Sequence, residues 1–237
     1  MERHFDQQIE KLKTRLIKMG SLVDEQVEFA IRSIEEGNLE LSNLVVERDV
    51  KVDKYDLKID KICMKLFALN QPVAMDLRLI MSALTINTNL ERMGDLAVNI
   101  AQNAEGLKEK PPFYKELPFS RIYGVAREMV RLAIDSFIES SAQMAQKVIQ
   151  TDDVLDTLVR DNSRALVEVM KQNSSCIEPA VKLYTILHEL ERLGDHATNI
   201  AENVYFIVEA QMIKHRYEGI LSRVDIEDED DDKHLDE

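Results

Sequence analysis

An eleven-residue segment that occurs twice, one hundred positions apart, constrains the fold more than any other feature of the chain. It reads ERMGDLAVNIA over residues 91–101 and ERLGDHATNIA over residues 191–201. A second pair of segments, 30–53 and 133–156, aligns without gaps. Duplication of one structural unit explains both matches, so the two halves should fold in the same way.

Each half contains three segments with the apolar spacing of amphipathic helices. In the first of them, apolar residues recur at alternating steps of three and four residues from Leu12 to Ile34, which is the period of a helix with one buried face. No segment shows the two-residue period of a strand. The predicted helices cover residues 3–36, 39–69, 72–108, 119–140, 142–172 and 179–217.

The stretch 108–120, KEKPPFYKELPFS, contains three of the five prolines and separates the halves. Three antiparallel helices with short turns bury their apolar stripes as a bundle. We therefore predict an all-α protein of two tandem antiparallel three-helix bundles related by internal duplication. The predicted parts are a first bundle (1–109), a linker (110–118), a second bundle (119–217) and an acidic, disordered tail (218–237).

The charge and the cysteines limit the class of protein. The formal net charge is −14, and the last 13 residues, DIEDEDDDKHLDE, contain nine acids and one lysine. A chain of this charge without a basic stripe in its sequence is not expected to bind nucleic acid or an anionic membrane directly. The two cysteines have no disulfide or CxxC spacing, and the N-terminus lacks the apolar core of a signal peptide. These features predict a cytoplasmic protein.

Four predicted helices, two in each half, carry acidic residues four positions apart. Residues at this spacing lie on one face of a helix, where like charges destabilise it by about 0.2–0.5 kcal/mol per pair. Because these destabilising pairs occur in both halves, we infer that they have a function. Converging carboxylates are the hard oxygen ligands that bind Mg²⁺, Mn²⁺ or iron. The pairs are Asp49 and Asp53, Glu91 and Asp95, Asp152 and Asp156, and Glu191 and Asp195, with Asn99 and Asn199 one turn beyond.

The residues also allow a purely structural interpretation of these pairs. Arg92 and Arg192 follow the two glutamates, and each Glu-Arg-x-Gly-Asp segment could form an interhelical salt-bridge cluster. Gly94 and Gly194 lie inside predicted helices, where glycine costs about 1 kcal/mol relative to alanine, and they indicate close approach of a neighbouring backbone. A metal site and a salt-bridge cluster both remain open on this evidence.

Other chemistry finds less support in the sequence. His188 and His196 flank the second pair of acids, but the first half has Thr88 and Leu96 at those positions. No Glu-x-x-His motif of a di-iron enzyme occurs, and neither does a nucleophile elbow, a phosphate loop or a zinc-protease motif. The sequence therefore offers no clear candidate for a catalytic group.

The segments QPVAMDLRLI, LERMGDLAVNIA and LERLGDHATNIAENV closely resemble the PhoU family of phosphate-uptake regulators, over about residues 3–217. The resemblance implies a cytoplasmic homodimer that acts with the phosphate ABC transporter ATPase and its sensor histidine kinase, and that meets the membrane only through them. The resemblance implies a regulator rather than an enzyme, whose role would be negative regulation of phosphate uptake and of phosphate-starvation signalling.

The resemblance also implies multinuclear metal sites at the four acidic pairs, with iron, Mn, Mg or Zn as the ion. The alternative is a metal-independent helical adaptor whose carboxylate pairs are structural. Asp76 and Arg78 match the DLR segment of the family, and they could form either a partner surface or a salt bridge at the start of a helix.

Overall fold

The computed structural model describes residues 2–107 and 110–213. Over these residues the chain forms six long α-helices and no strand, which confirms the predicted all-α class. The helices are α1 (Glu2–Glu36), α2 (Leu39–Leu69), α3 (Ala74–Gly106), α4 (Phe119–Glu139), α5 (Ala142–Gln172) and α6 (Ile177–Glu209). None of the described helices is both long enough and apolar enough to cross a membrane.

The tight turns between the first two helices of each half use the same device. Gly37 has a φ of +66° and Ser140 a φ of +50°, so both stop the preceding helix in the left-handed region. The next residue then caps the following helix. The Asn38 side chain accepts a hydrogen bond from the Glu40 amide, and the Ser141 hydroxyl accepts one from the Met144 amide. Capping of these otherwise unpaired amides favours the start of α2 and α5 at these positions.

The helices pack as two three-helix bundles, α1–α3 and α4–α6, joined mainly by α3 against α6 and secondarily by α1 against α4. The core is built from Leu, Ile, Val, Met and Ala side chains that are almost fully buried, including Leu12, Leu16, Ile59 and Met93. At the junction, Arg127 of α4 forms a 2.7 Å salt bridge with Glu28 of α1. Both bundles therefore share one continuous apolar core.

The segment between the bundles is packed rather than extended. It forms a short 3-10 helix, Pro112–Glu116, in which Phe113 and Tyr114 are buried. The Tyr114 ring stacks on Phe119 with 4.7 Å between ring centroids. This aromatic contact fixes the entry of the chain into α4.

Three predicted helix boundaries were wrong. The third helix begins at Ala74, two residues after Pro72, and the sixth begins at Ile177, so that Pro179 lies in its first turn. The sixth helix ends at Glu209 instead of Tyr217. Ala210 takes a left-handed φ of +55° while its amide donates to the Phe206 carbonyl, which closes the helix. Residues 214–217 and the predicted tail, 218–237, lie outside the described residues.

Candidate metal and carboxylate site

The antiparallel packing of α2 against α3 brings the first two acidic pairs together. Burial raises the pKa of Asp49, and the negative charges of Asp53 on the same helix and Asp95 on α3 raise it further. Burial likewise raises the pKa of Glu91, with added contributions from Asp95 and from Asp53 across the helix pair. The carboxylates of α2 and α3 therefore act on one another, as the repeated spacing predicts.

The second half repeats this arrangement with a larger perturbation. Burial raises the pKa of Asp152 to about 6, and the charges of Asp156 and Asp195 add to the shift. Burial also raises the pKa values of Asp156 and Asp195, and Glu191 contributes to both shifts. The Thr198 hydroxyl is near enough to Asp152 to offset part of the rise. However, the Thr198 oxygen and Asp152 Oδ1 are both buried without a hydrogen bond of normal geometry.

The two helix glycines make room for these side chains. A Cβ atom added to Gly94 would lie 3.0 Å from Asp49 Oδ1. A Cβ added to Gly194 would lie 2.5 Å from Leu155 Cδ2 and 3.5 Å from Asp152 Oδ1. The expectation that a neighbouring backbone approaches these glycines was therefore wrong, because the nearest atoms belong to side chains. Glycine is required because α2 and α5 direct an acid and an apolar side chain at this point.

One residue of α1, missed by the sequence analysis, explains why the halves differ. Gln26 is fully buried, and its Nε2 donates to Asp49 Oδ1 at 3.1 Å and to the Val45 carbonyl at 3.2 Å. In the gapless alignment of the halves, Gln26 corresponds to Met129 of α4. The Met129 methyl group lies 3.5 Å from the position of a Cβ on Gly194. Asp49 therefore has an amide donor where Asp152 has a thioether, which donates no hydrogen bond.

Replacement of Met129 by glutamine should lower the pKa of Asp152 towards the ordinary value, because a donated hydrogen bond favours the ionised carboxylate. The pKa would be followed by ¹³C NMR of the carboxyl groups in metal-free protein. Met129→Leu, which adds no donor, is the matched control. An unchanged titration of Asp152 in Met129→Gln would contradict this explanation of the asymmetry.

The first half extends its acidic row by two further residues, which the sequence analysis also missed. Asn87 of α3 is fully buried, and its Nδ2 donates to Asp56 Oδ1 at 2.7 Å and to Asp60 Oδ1 at 3.1 Å. The aligned positions in the second half are Val159, Ser163 and Leu187. This amide bridge satisfies two acids of α2 that have no counterparts in α5.

The contacts of the two arginines differ between the halves. Arg92 lies 3.5 Å from Glu91 and 3.8 Å from Asp95, and its side chain is more than half exposed. Arg192 instead contacts Glu189 at 3.1 Å. All these contacts lie within one helix, so the interhelical salt-bridge cluster is not formed by Arg92 or Arg192. Exposure makes the Arg92 pairs weak.

Of the two histidines, only His188 contacts a site acid. His188 Nδ1 lies 2.8 Å from Glu191 Oε2. His196 Nδ1 lies 2.8 Å from Asn89 Oδ1, which joins α6 to α3 between the bundles. Burial lowers the pKa of His196, and the cations Arg192 and Arg92 lower it further. These effects favour the neutral imidazole of His196 at the bundle interface.

The carboxylates converge without closing on a single point. Within residues 2–107 and 110–213, no group of three or more His, Cys, Asp or Glu side chains is arranged closely enough to hold a metal ion. Six of the eight predicted ligands are partly buried, while Asp53 and Asp195 are exposed. Metal binding by the eight residues thus stays a prediction.

Comparison with known proteins identifies the family. The PhoU domain model matches residues 16–104 and 119–204. A phosphate-specific transport system accessory protein PhoU homologue of Aquifex aeolicus is 35% identical over 89% of this chain and 95% of its own length. A homologue of the same description from Pseudomonas putida is 34% identical over 91% of this chain and 84% of its own length.

Solved structures agree with the sequence matches. The crystal structure of PhoU from Pseudomonas aeruginosa has a TM-score of 0.84 and 34% identity, and the match covers 87% of this chain and 100% of that chain. The phosphate transport system regulatory protein PhoU from Streptococcus pneumoniae has a TM-score of 0.80 and 25% identity, over 88% of this chain and 99% of that one. With its twice-matched domain, its duplicated three-helix fold and these relatives, the chain belongs to the PhoU family.

Proposed function

We propose that this protein is a cytoplasmic negative regulator of phosphate uptake and of phosphate-starvation signalling. Its partners would be the ATPase of the phosphate ABC transporter and the associated sensor histidine kinase. Support comes from family membership and from relatives whose names describe accessory and regulatory proteins of phosphate transport. The helices carry no catalytic motif, so the proposed role is regulatory and not enzymatic.

The observation that carries the metal-dependent form of this proposal is the meeting of acidic pairs in both halves. Asp152 combines a buried, unpaired Oδ1 with a pKa of about 6, so the ionised group lacks a counter-charge. Carboxylate oxygens in this state fit a hard divalent or trivalent cation. Such an ion, when bound, would neutralise the acids and offer coordination positions to an anionic group of a partner.

The residues that would hold the ions fall into two sets of four, one in each bundle. One set lies between α2 and α3 and the other between α5 and α6, so each set belongs to a different bundle. The carboxylates of each set would have to move closer together to bind an ion, because the described residues contain no preformed cluster of three ligands. The sets are Asp49, Asp53, Glu91 and Asp95, and Asp152, Asp156, Glu191 and Asp195.

Metal analysis of protein purified without an affinity tag or added metal tests this form of the proposal. We expect stoichiometric iron, Mn, Mg or Zn in the parent protein and its loss in the double variant Asp95→Asn/Asp195→Asn, with helicity unchanged. The matched control is Glu105→Gln/Glu209→Gln, which removes two acids outside the site. Absence of metal from the parent even after incubation with each ion would rule out the metal-dependent form.

The second candidate function is a metal-independent helical adaptor. An exposed apolar patch at the turn between α2 and α3 favours it, since Leu69, Val73 and Met75 are each at least 65% exposed. An isolated apolar patch of this kind is suited to a protein partner. Partner binding after thorough chelation distinguishes the metal-independent adaptor from the metal-dependent regulator. The adaptor would bind the transporter ATPase or the kinase equally well without metal.

Self-association is part of the proposal, since the resemblance implies a homodimer. Sedimentation equilibrium should give twice the chain mass of 27.3 kDa. A concentration-independent single-chain mass would show that the regulator acts as a monomer.

A further inference from the structure

The outer surface of α1 and α2 carries eight cations, on a protein whose overall charge is strongly negative. We call this surface the basic face. Five of its lysines follow one another on α2 at steps of three and four residues, so they lie on one side of that helix. The premise that the sequence has no basic stripe was therefore wrong. The basic face comprises Lys11, Arg15 and Lys18 of α1, and Lys51, Lys54, Lys58, Lys61 and Lys65 of α2.

Contacts between the helices bring the two rows of cations together. Arg15 Nη1 donates to the Lys58 carbonyl at 3.2 Å, which fixes the guanidinium beside α2. Lys58 Nζ lies 5.5 Å from the centre of the Tyr55 ring. A shallow cavity of about 420 Å³ between the rows is lined by four of the cations and two hydroxyl side chains, and by no acid. Its lining residues are Lys11, Thr14, Arg15, Lys18, Tyr55 and Lys58.

The cations of the basic face lack counter-charges in the structure. Elsewhere, basic residues such as Arg32, Arg127 and Lys147 form salt bridges of 2.7–2.8 Å. No residue of the basic face lies within 4.0 Å of a carboxylate among the residues that the structure describes. The aspartates of α2 lie on the side of the helix opposite the lysines, at positions 49, 53, 56 and 60. Glu47 shares the lysine side of α2, but it forms no salt bridge with a lysine of the basic face.

The basic face is not a product of the duplication. In the gapless alignment of the halves, its five α2 lysines correspond to Val154, Thr157, Asp161, Arg164 and Glu168. Only one of these positions keeps a cation. The property therefore belongs to the first bundle alone and is separate from the carboxylate sites that both halves share.

The chain itself contains the anionic segment that matches this surface. Residues 225–237 carry nine acids and one lysine. The last described residue, Ile213, lies with Met212 beside Met81 and Thr85 of α3, around a cavity of about 140 Å³. The end of the described chain thus lies against the first bundle, which carries the basic face.

The residues that connect Ile213 to the acidic segment are long enough to reach the basic face. Eleven residues lie between Ile213 and Asp225, and the chain from Ile213 to Asp225 can span up to about 40 Å when extended. A bundle of three helices, each about 10 Å wide, is roughly 20 Å across. From the complementary charge and this reach, we propose that residues 225–237 dock on the basic face of the same chain. There they compete with any anionic partner for that surface.

Zero-length carbodiimide cross-linking of the full chain, followed by mass spectrometry, tests the proposal. We expect amide bonds between tail carboxyls and Lys54, Lys58 or Lys61. Their yield should fall about fivefold when ionic strength rises from about 0.02 M to about 0.5 M, because the Debye length shrinks from about 20 Å to about 4 Å. The Lys147–Glu128 pair, 2.8 Å apart, reports that the reagent is active in every sample.

Two variants with equal charge change separate docking from general attraction. Lys54→Gln/Lys58→Gln/Lys61→Gln should abolish the tail links to α2 and reduce those to α1. Lys115→Gln/Arg121→Gln/Arg160→Gln removes three cations elsewhere and should leave the links unchanged. Equal loss in both variants, or links only to Lys214, would overturn the proposal.

Two further experiments distinguish docking of the tail on its own chain from docking on a second copy of the chain and from binding of the basic face to a membrane. In a mixture of ¹⁴N and ¹⁵N chains, intrachain docking gives no links of mixed mass, so links of mixed mass alone would overturn it. A second result would also overturn intrachain docking. In it, tail links are absent, and the full chain sediments with phosphatidylglycerol vesicles only when Lys54, Lys58 and Lys61 are present. That result would assign the basic face to an anionic membrane.

Discussion

Replacement of Gly194 by valine should lower the free energy of unfolding by about 3 kcal/mol, the upper range for overfilling a packed core. The reason is the lack of space above this glycine in α6. Its added Cβ would lie 2.5 Å from Cδ2 of the fully buried Leu155. The valine methyls would also enter the space beside Asp152 and Met129. Urea denaturation followed by circular dichroism measures the change.

Gly124 provides the matched control for this substitution. It also lies inside a helix, α4, but it is exposed, and an added Cβ would meet nothing within 4 Å. Gly124→Val should therefore be close to neutral, since valine and glycine differ by only about 0.3 kcal/mol in helix propensity. If both valine variants lost the same stability, helix propensity and not side-chain space would explain the glycine at 194.

Replacement of Asp152 by asparagine should increase the stability of metal-free protein at neutral pH by about 1–2 kcal/mol, after allowance for the solvent exposure of the carboxyl group. The pKa of Asp152 is raised from 3.8 to about 6 in the folded protein. Ionisation is therefore less favourable in the folded chain than in the unfolded chain. The asparagine keeps the shape of the side chain and removes the charge.

The sign of this effect fixes its pH dependence. Below the pKa of the unfolded chain, near 3.8, Asp152 is protonated in both the folded and the unfolded state, so its ionisation does not lower the free energy of unfolding. The cost develops as pH rises from about 4 to about 6 and is complete above that range. Urea titrations at pH 4 and at pH 7.5 in the presence of chelator should show a gain for Asp152→Asn only at pH 7.5. A gain of equal size at both values would show that charge is not its cause.

A bound cation should reverse the order of stability. Metal held by the ionised carboxylate would stabilise the parent protein by mass action, whereas Asp152→Asn would lose a ligand. The comparison of apo and metal-loaded samples at pH 7.5 therefore also tests the metal-dependent form of the proposed function.

The helices could be predicted from the sequence because their signals are local. The apolar steps, Gly37 with Asn38, and the paired serines 140 and 141 set the helix ends near their observed positions. The end of α6 could not be predicted in this way. Its apolar pattern continues past Glu209, but Met212 and Ile213 leave the helix and lie beside α3. That boundary depends on a contact between the two bundles.

The candidate site was predictable in part for the same reason. Four-residue spacing places Asp152 and Asp156 on one face of a helix without knowledge of the fold, and duplication identifies their counterparts. The residues that distinguish the two sites come from other helices. Gln26 reaches Asp49 from α1, and Asn87 bridges Asp56 and Asp60 from α3. A periodic pattern within one helix carries no information about such partners.

By itself, the sequence determined that this chain is a duplicated helical protein with a pair of acids on each of four helices, because helical period and internal repeat are properties of neighbouring residues. Only the tertiary structure decided which acid is most perturbed and where the cations gather. The pKa of Asp152 depends on its burial and on the charge of Asp195, which lies on a different helix, and the basic face depends on α1 and α2 lying side by side. Both properties arise from electrostatic and packing contacts between residues that are distant in the chain, and those contacts exist only after folding.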